Sequence, residues 1–172
     1  MKLTILAIGK ARKSPEAELW ADWLKRCPFP AKLQEFDSRL PPGPARTEEE
    51  SRKMLNYVQQ AQGSAKKLIG LDPNGVNIRS EDLSDIIGTW RADGISHCFF
   101  AVGGADGHHQ NLLDACDKLI SFGRMTWPHM LCRAMLAEQL YRAEMILARH
   151  PYHLQQTGHL FPFALEVVTL IS

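Results

Sequence analysis

Apolar positions along the chain switch repeatedly between short, nearly unbroken runs and a spacing of three to four residues. The first pattern marks strands buried on both faces and the second marks one-faced helices. Residues 3–8 form such a run and predict a buried strand. Ser14-Pro15-Glu16 then supplies an N-cap, a proline at the first helical position and an early acid. Leu19, Trp20, Trp23, Leu24 and Cys27 follow as one stripe. A shorter strand is predicted at 32–36, and the proline-rich stretch 37–46 reads as a loop. Thr47-Glu48-Glu49-Glu50 has the form of a capping box ahead of a helix whose stripe is Met54, Leu55, Val58 and Ala61.

The alternation continues. A third strand is predicted at 67–72, stopped by Pro73-Asn74-Gly75, and Ser80 should cap a helix with Leu83, Ile86, Ile87 and Trp90 inward. Residues 97–102 predict a fourth strand running into Gly103-Gly104-Ala105-Asp106-Gly107. A helix near 111–118, a strand near 119–122 and a long amphipathic helix from about 130 to 149 complete the set. Such alternation predicts one α/β domain with a mostly parallel sheet.

At 172 residues the chain suits a single domain, and 45% hydrophobic with 23% charged residues is the composition of a soluble globular protein. No apolar run reaches the roughly 20 residues of a membrane span. The apolar opening is short and runs into Lys10, Arg12 and Lys13, so it reads as a strand rather than a signal peptide. Cys27, Cys98, Cys116 and Cys132 form no Cys-x-x-Cys, which argues against a zinc site and a disulfide framework and fits a reducing cytoplasm. The net charge of +1 hides an asymmetry: residues 118–153 hold five Lys or Arg against two Glu, a segment able to meet phosphate. From charge alone, a solvated helix face is the better reading.

Candidate chemistry concentrates in residues 122–153. His129 and Arg133 are four apart, as are Glu138 and Arg142, so each pair can share a helix face. In a parallel sheet, ligands bind beyond the carboxyl ends of the strands. The turn after Leu71-Asp72, the Gly103–Gly107 turn and the 122–128 loop would converge there. Gly-Gly-x-x-Gly is neither a dinucleotide fingerprint nor a P-loop, which disfavours a dinucleotide-dependent enzyme. Asp72 suits a ribose hydroxyl or simply a turn.

Gly103-Gly104-x-x-Gly107, Met125-Thr126-Trp127-Pro128-His129, Glu138-Gln139-Leu140-Tyr141-Arg142-Ala143 and Pro151-Tyr152-His153, in that order, resemble the RlmH family. Met1-Lys2-Leu3 with Ala7-Ile8-Gly9, and Leu71-Asp72-x-x-Gly75, match it too, so the resemblance covers residues 1–153. It implies a SPOUT-type fold with a C-terminal trefoil knot and a homodimer. It also implies transfer of methyl from S-adenosylmethionine to N3 of a pseudouridine in helix 69 of 23S rRNA, on the assembled 70S ribosome in the cytoplasm, with no metal and no membrane. By matching position, Leu71, Gly103, Phe122, Gly123, Arg124, Met125, Thr126 and Trp127 would hold the cofactor, largely through backbone. Glu138, Arg142, Tyr152 and His153 would be catalytic, and His129 and Arg133 would hold the loop or contact substrate phosphate. Residues 154–172 extend past the resemblance. If they packed on Tyr152 and His153, the chain would instead be a non-catalytic ribosome-binding dimer.

Overall fold

The computed structural model describes residues 1–63 and 65–153, with His153 described for its backbone alone. Five strands, β1 (Lys2–Ile8), β2 (Ala31–Phe36), β3 (Lys66–Asn77), β4 (His97–Val102) and β5 (Lys118–Ser121), form one sheet in the order β2-β1-β4-β3-β5. Every pairing is parallel. Helices α1 (Pro15–Arg26), α3 (Ser80–Ala92) and α5 (His129–Leu147) pack on one face, while α2 (Pro44–Gln60) and α4 (Gln110–Ala115) pack on the other. Strand residues therefore alternate between two cores. Leu3, Ile5, Cys98 and Phe100 meet Trp20, Ile87 and Leu140, whereas Leu6, Leu68 and Phe99 meet Met54 and Leu112. Burial on both sides is why the central strands are nearly unbroken apolar runs. No helix among the described residues is long and apolar enough to cross a membrane.

Several predicted boundaries move, each for a local reason. The first helix starts as expected, with Ser14 Oγ accepting from the Ala17 N–H at 3.2 Å. Helix α2 starts one turn earlier than the Thr47 capping box predicts. Gly43, at φ 142°, turns the chain and Pro44 takes the first helical position. Thr47 Oγ1 instead donates back to the Gly43 carbonyl, and Glu50 is buried against Arg46 Nε at 2.9 Å. Arg79, not Ser80, is the N-cap of α3; its N–H donates to Asp82 Oδ2, which frees Ser80 Oγ to donate to Gln139 Oε1 at 2.6 Å.

Strand β3 does not stop at Pro73. It bulges between Leu71 and Val76 and re-pairs with β5. The Asp72 carboxylate stabilises the bulge by accepting from the Asn74 N–H at 2.8 Å. Gly75 lies flat against β5: a Cβ there would sit 2.6–2.7 Å from backbone atoms of Ile120. Backbone cannot yield as a side chain does, so Gly75→Ala should cost about 1–3 kcal/mol in denaturant unfolding. A loss within about 0.5 kcal/mol would mean that the bulge relaxes freely.

Helix α5 also departs from expectation. It is enclosed rather than one-faced, with α1 and α3 on its flanks and the sheet beneath, so that Arg133, Leu136, Leu140, Arg142 and Glu144 are all buried. Glu144 is paired across to Arg91 of α3.

Candidate functional site

The carboxyl ends of β3, β4 and β5 open on a cavity of about 620 Å³. Its first wall is Leu71, Asp72 and Pro73, and its second is the turn from Gly103 to Gly107. The third is the loop from Phe122 to Pro128, and His129 and Cys132 close it from the start of α5. Seven of the eight residues expected at a cofactor lie on this lining; Arg124 shares the loop but is not on it. The turns are built for close approach. A Cβ on Gly103 would sit 2.8 Å from the carbonyl carbon and oxygen of Gly107, which itself has φ 72°. Gly123, at φ 101°, makes the bend after β5, where Ser121 Oγ accepts from its N–H at 3.1 Å and donates to its carbonyl at 2.9 Å. The Trp127 indole N–H donates to the Phe122 carbonyl at 3.3 Å and closes the loop on itself.

Asp72 is the one acid on the described lining, and no Lys or Arg joins it. The cavity is thus apolar and backbone-rich with a single formal negative charge, which suits an organic ligand carrying positive charge. Its volume lies within the usual range for small-molecule sites. The Asp72 carboxylate caps the bulge and also lies on the cavity wall.

A second cavity, about 740 Å³, adjoins the first through Ile120, Ser121 and Phe122. Glu138 and Gln139 of α5, Ser80 of α3 and Trp23 of α1 face it. Here the structure brings together Glu138, Arg142 and Tyr152. Glu138 Oε1 pairs with Arg142 Nη2 and accepts from the Tyr152 hydroxyl at 3.2 Å, while Oε2 accepts from Gln139 Nε2 at 2.7 Å. Arg142 lies over the Tyr152 ring, 5.1 Å from its centroid, and Tyr141 and Trp23 close an aromatic cluster around it. Burial, with the Glu138 charge next, pushes the Tyr152 phenol above its ordinary value, so it stays a donor. The pair is no exposed helix-surface bridge, since its side chains are 10% and 18% exposed. Tyr152 belongs to the short turn Pro151–His153. The His153 side chain and the 154–172 extension, on which the obstructed-site reading depends, lie outside the described residues.

Arg133 is a correction. Of the two roles expected of it, holding the loop or contacting substrate phosphate, the second fails because its side chain has no exposed area. Its guanidinium donates to Glu35 Oε1 at 2.9 Å and to the carbonyls of Ile8 at 2.5 Å and Gly9 at 2.8 Å. A group so enclosed fastens the β1–α1 loop to α5 and cannot meet phosphate. His129 does line the first cavity.

His108 follows the glycine turn, and its Nε2 lies 3.3 Å from the Ala101 carbonyl. Burial lowers the pKa of both His108 and His129, and the charge of Arg133 depresses His129 further. His97, at the other end of β4, is pushed down to about 4, again mainly by burial. All three favour the neutral form in the fold, so between about 4 and 6.5 the unfolded chain binds more protons. Stability should therefore fall as pH drops from 6.5 toward 4, which thermal midpoints across that window would read. A midpoint that held or rose on acidification would contradict these assignments.

The family model described as "Predicted SPOUT methyltransferase" matches residues 1–153. The chain belongs to the SPOUT methyltransferase family. A relative from Paramagnetospirillum magneticum, named ribosomal RNA large subunit methyltransferase H, is 42% identical over 154 residues, covering 89% of this chain and 99% of its own. A relative of the same name from Novosphingobium aromaticivorans is 40% identical over 156 residues, covering 89% and 98%. Among solved structures, a probable methylase family protein from Haemophilus influenzae Rd KW20 gives a TM-score of 0.48 at 11% identity, covering 89% of this chain and 69% of that one.

Proposed function

We propose that this SPOUT methyltransferase moves a methyl group from S-adenosylmethionine to N3 of a pseudouridine in helix 69 of the large ribosomal RNA. It acts as a homodimer on the assembled ribosome, with the chain after β4 threaded as a trefoil knot. The observation that carries the reading is the junction at Ile120–Phe122 between a glycine-walled cavity bearing Asp72 and a cavity lined by Glu138, the carboxylate that binds Arg142 and Tyr152. The relatives' names add the choice of large-subunit ribosomal RNA.

The cofactor fits the first cavity: close backbone at Gly103 and Gly107, an apolar loop and one carboxylate match a bulky cation. When bound it supplies an electrophilic methyl on a sulfonium. The chain's own residues supply the rest. A neutral imide nitrogen is a poor nucleophile, so its N3 proton must leave as the methyl arrives. Arg142 provides a cation for the negative charge that develops on the imide. Glu138 spends three hydrogen bonds on Arg142, Tyr152 and Gln139, a geometry that favours orienting Arg142 over accepting the proton. That leaves His153 as the candidate base. Tyr152 and its aromatic neighbours keep water from the pair.

Glu138→Gln should preserve cofactor affinity and lower turnover on ribosomes bearing unmethylated helix 69 by about 10²-fold, the scale of one lost electrostatic or acid–base contribution. Mass spectrometry of the RNA should find the methyl on N3 of the pseudouridine. Near-normal turnover by both Glu138→Gln and His153→Ala with dimers intact would remove the mechanism. Product at another nucleotide would remove the substrate assignment.

A further inference from the structure

The amino edge of the sheet, opposite the methyl-transfer cavities, carries a feature that methyl transfer does not use. Strand register sets Lys2 of β1 beside His97 of β4, and His97 beside Lys66 of β3. Thr4 of β1, two residues on, pairs with Lys32 of β2. Side chains two apart, and those directly opposed across neighbouring strands, share a face. The three lysines, Thr4 and His97 therefore all project on the α2 side of the sheet. There Lys2, Lys32, Thr4 and His97, without Lys66, border a cavity of about 430 Å³ that Tyr57, Gln60 and Gln62 also line, with no carboxylate among its described residues.

Neither Lys2 nor Lys32 has a carboxylate partner among the described residues. Lys66 donates to the Val58 and Gln59 carbonyls at 3.0 and 2.8 Å and so closes the carboxyl end of α2. Lys2 is exposed, and Lys32 leans over the Tyr57 ring at 5.4 Å. Between them His97 is only 6% exposed, bonded to Thr4 Oγ1 at 2.8 Å and stacked 3.9 Å from the Phe99 ring centre. A buried polar floor beneath unneutralised cations is the composition of an anion site.

We propose that this cavity binds phosphate, with Lys2 and Lys32 gripping phosphoryl oxygens above His97 and Thr4. The ligand is a phosphate ester or free phosphate, from a small molecule or from an RNA backbone. The site stands independently of the methyl-transfer reading, and its test needs no turnover.

The test is NMR of the His97 ring in the full chain, titrated with inorganic phosphate at constant ionic strength and then with a short single-stranded RNA. Saturable shifts are expected, together with a rise of the His97 titration midpoint above about 4 as a neighbouring anion favours the imidazolium. Lys2→Gln/Lys32→Gln should weaken the dissociation constant by at least about tenfold, while Lys32→Arg, which keeps the charge, retains it. Saturation by inorganic phosphate assigns a free anion. Saturation by RNA alone assigns a backbone phosphate, and each lysine replaced should then lower the logarithmic salt slope by roughly 0.7. Non-saturating shifts with both probes, or equal responses from wild type and the double variant, overturn the site. An unchanged thermal midpoint in the double variant excludes misfolding as the cause of weakened binding.

Discussion

Arg133→Ala is expected to lower the unfolding free energy by about 3–5 kcal/mol, the scale on which one partner of a buried ion pair is removed. The side chain has no exposed area and serves three acceptors at once: Glu35 Oε1 and the carbonyls of Ile8 and Gly9. Truncation leaves two carbonyls and a carboxylate short of a donor and opens a void against Trp20, over whose ring the guanidinium lies at 5.4 Å. Burial lowers the guanidinium's pKa, and the Glu35 charge opposes that shift. Arg133→Met should cost less, because Nε has no hydrogen-bond partner among the described residues and methionine fills most of the space without it. Urea unfolding of the two variants would separate these contributions. Losses under about 1 kcal/mol for both would mean that the β1–α1 loop holds its place without the arginine.

Gly103→Val should abolish measurable cofactor binding while leaving the fold intact, a weakening of at least about 10²-fold, or near 2.7 kcal/mol. The new side chain would start 2.8 Å from the Gly107 carbonyl group, so the turn must open and its backbone leave the cavity wall. Gly104→Ala is the matched control. Its Cβ would meet Ile8 Cγ2 at 3.0 Å, a side-chain contact that a shift of a few tenths of an ångström relieves without moving the turn's backbone. Calorimetric titration with S-adenosylmethionine should find near-normal affinity for the control. Equal affinities in both variants would mean that the glycine turn is not a binding wall.

Central strands were legible in the sequence because burial on both faces writes an unbroken apolar run, as at residues 5–8 of β1. Where a second element decides the outcome, one-dimensional reading fails. The continuation of β3 past Pro73 depends on β5 taking up Val76 and Asn77 after the bulge. Thr-x-x-Glu looks alike at a helix start and one turn inside it, and only Gly43-Pro44 distinguished them. Spacing placed Glu138 and Arg142 on one face, and the structure keeps them together with Tyr152. The same spacing placed Arg133 with His129 but carried no information about depth. Depth comes from Glu35, 98 residues away in sequence. The cavity loops were found because residues that follow parallel strands must gather at one edge.

The strand order has a consequence for synthesis. Strands β1 and β2 pair soon after they are made, as do β3 and β4, but β1 must wait for β4 to fill its other edge. Lys2 and its partner His97 lie 95 residues apart in the chain. At roughly 5–20 residues per second, the nascent N-terminal strand spends roughly 5–20 s with that edge open. During that interval an apolar strand able to pair with any extended chain has no partner of its own. The step that joins the two βαβ halves, rather than any closure of the sites, should therefore be the interval in which this protein is most exposed to aggregation and most in need of a chaperone.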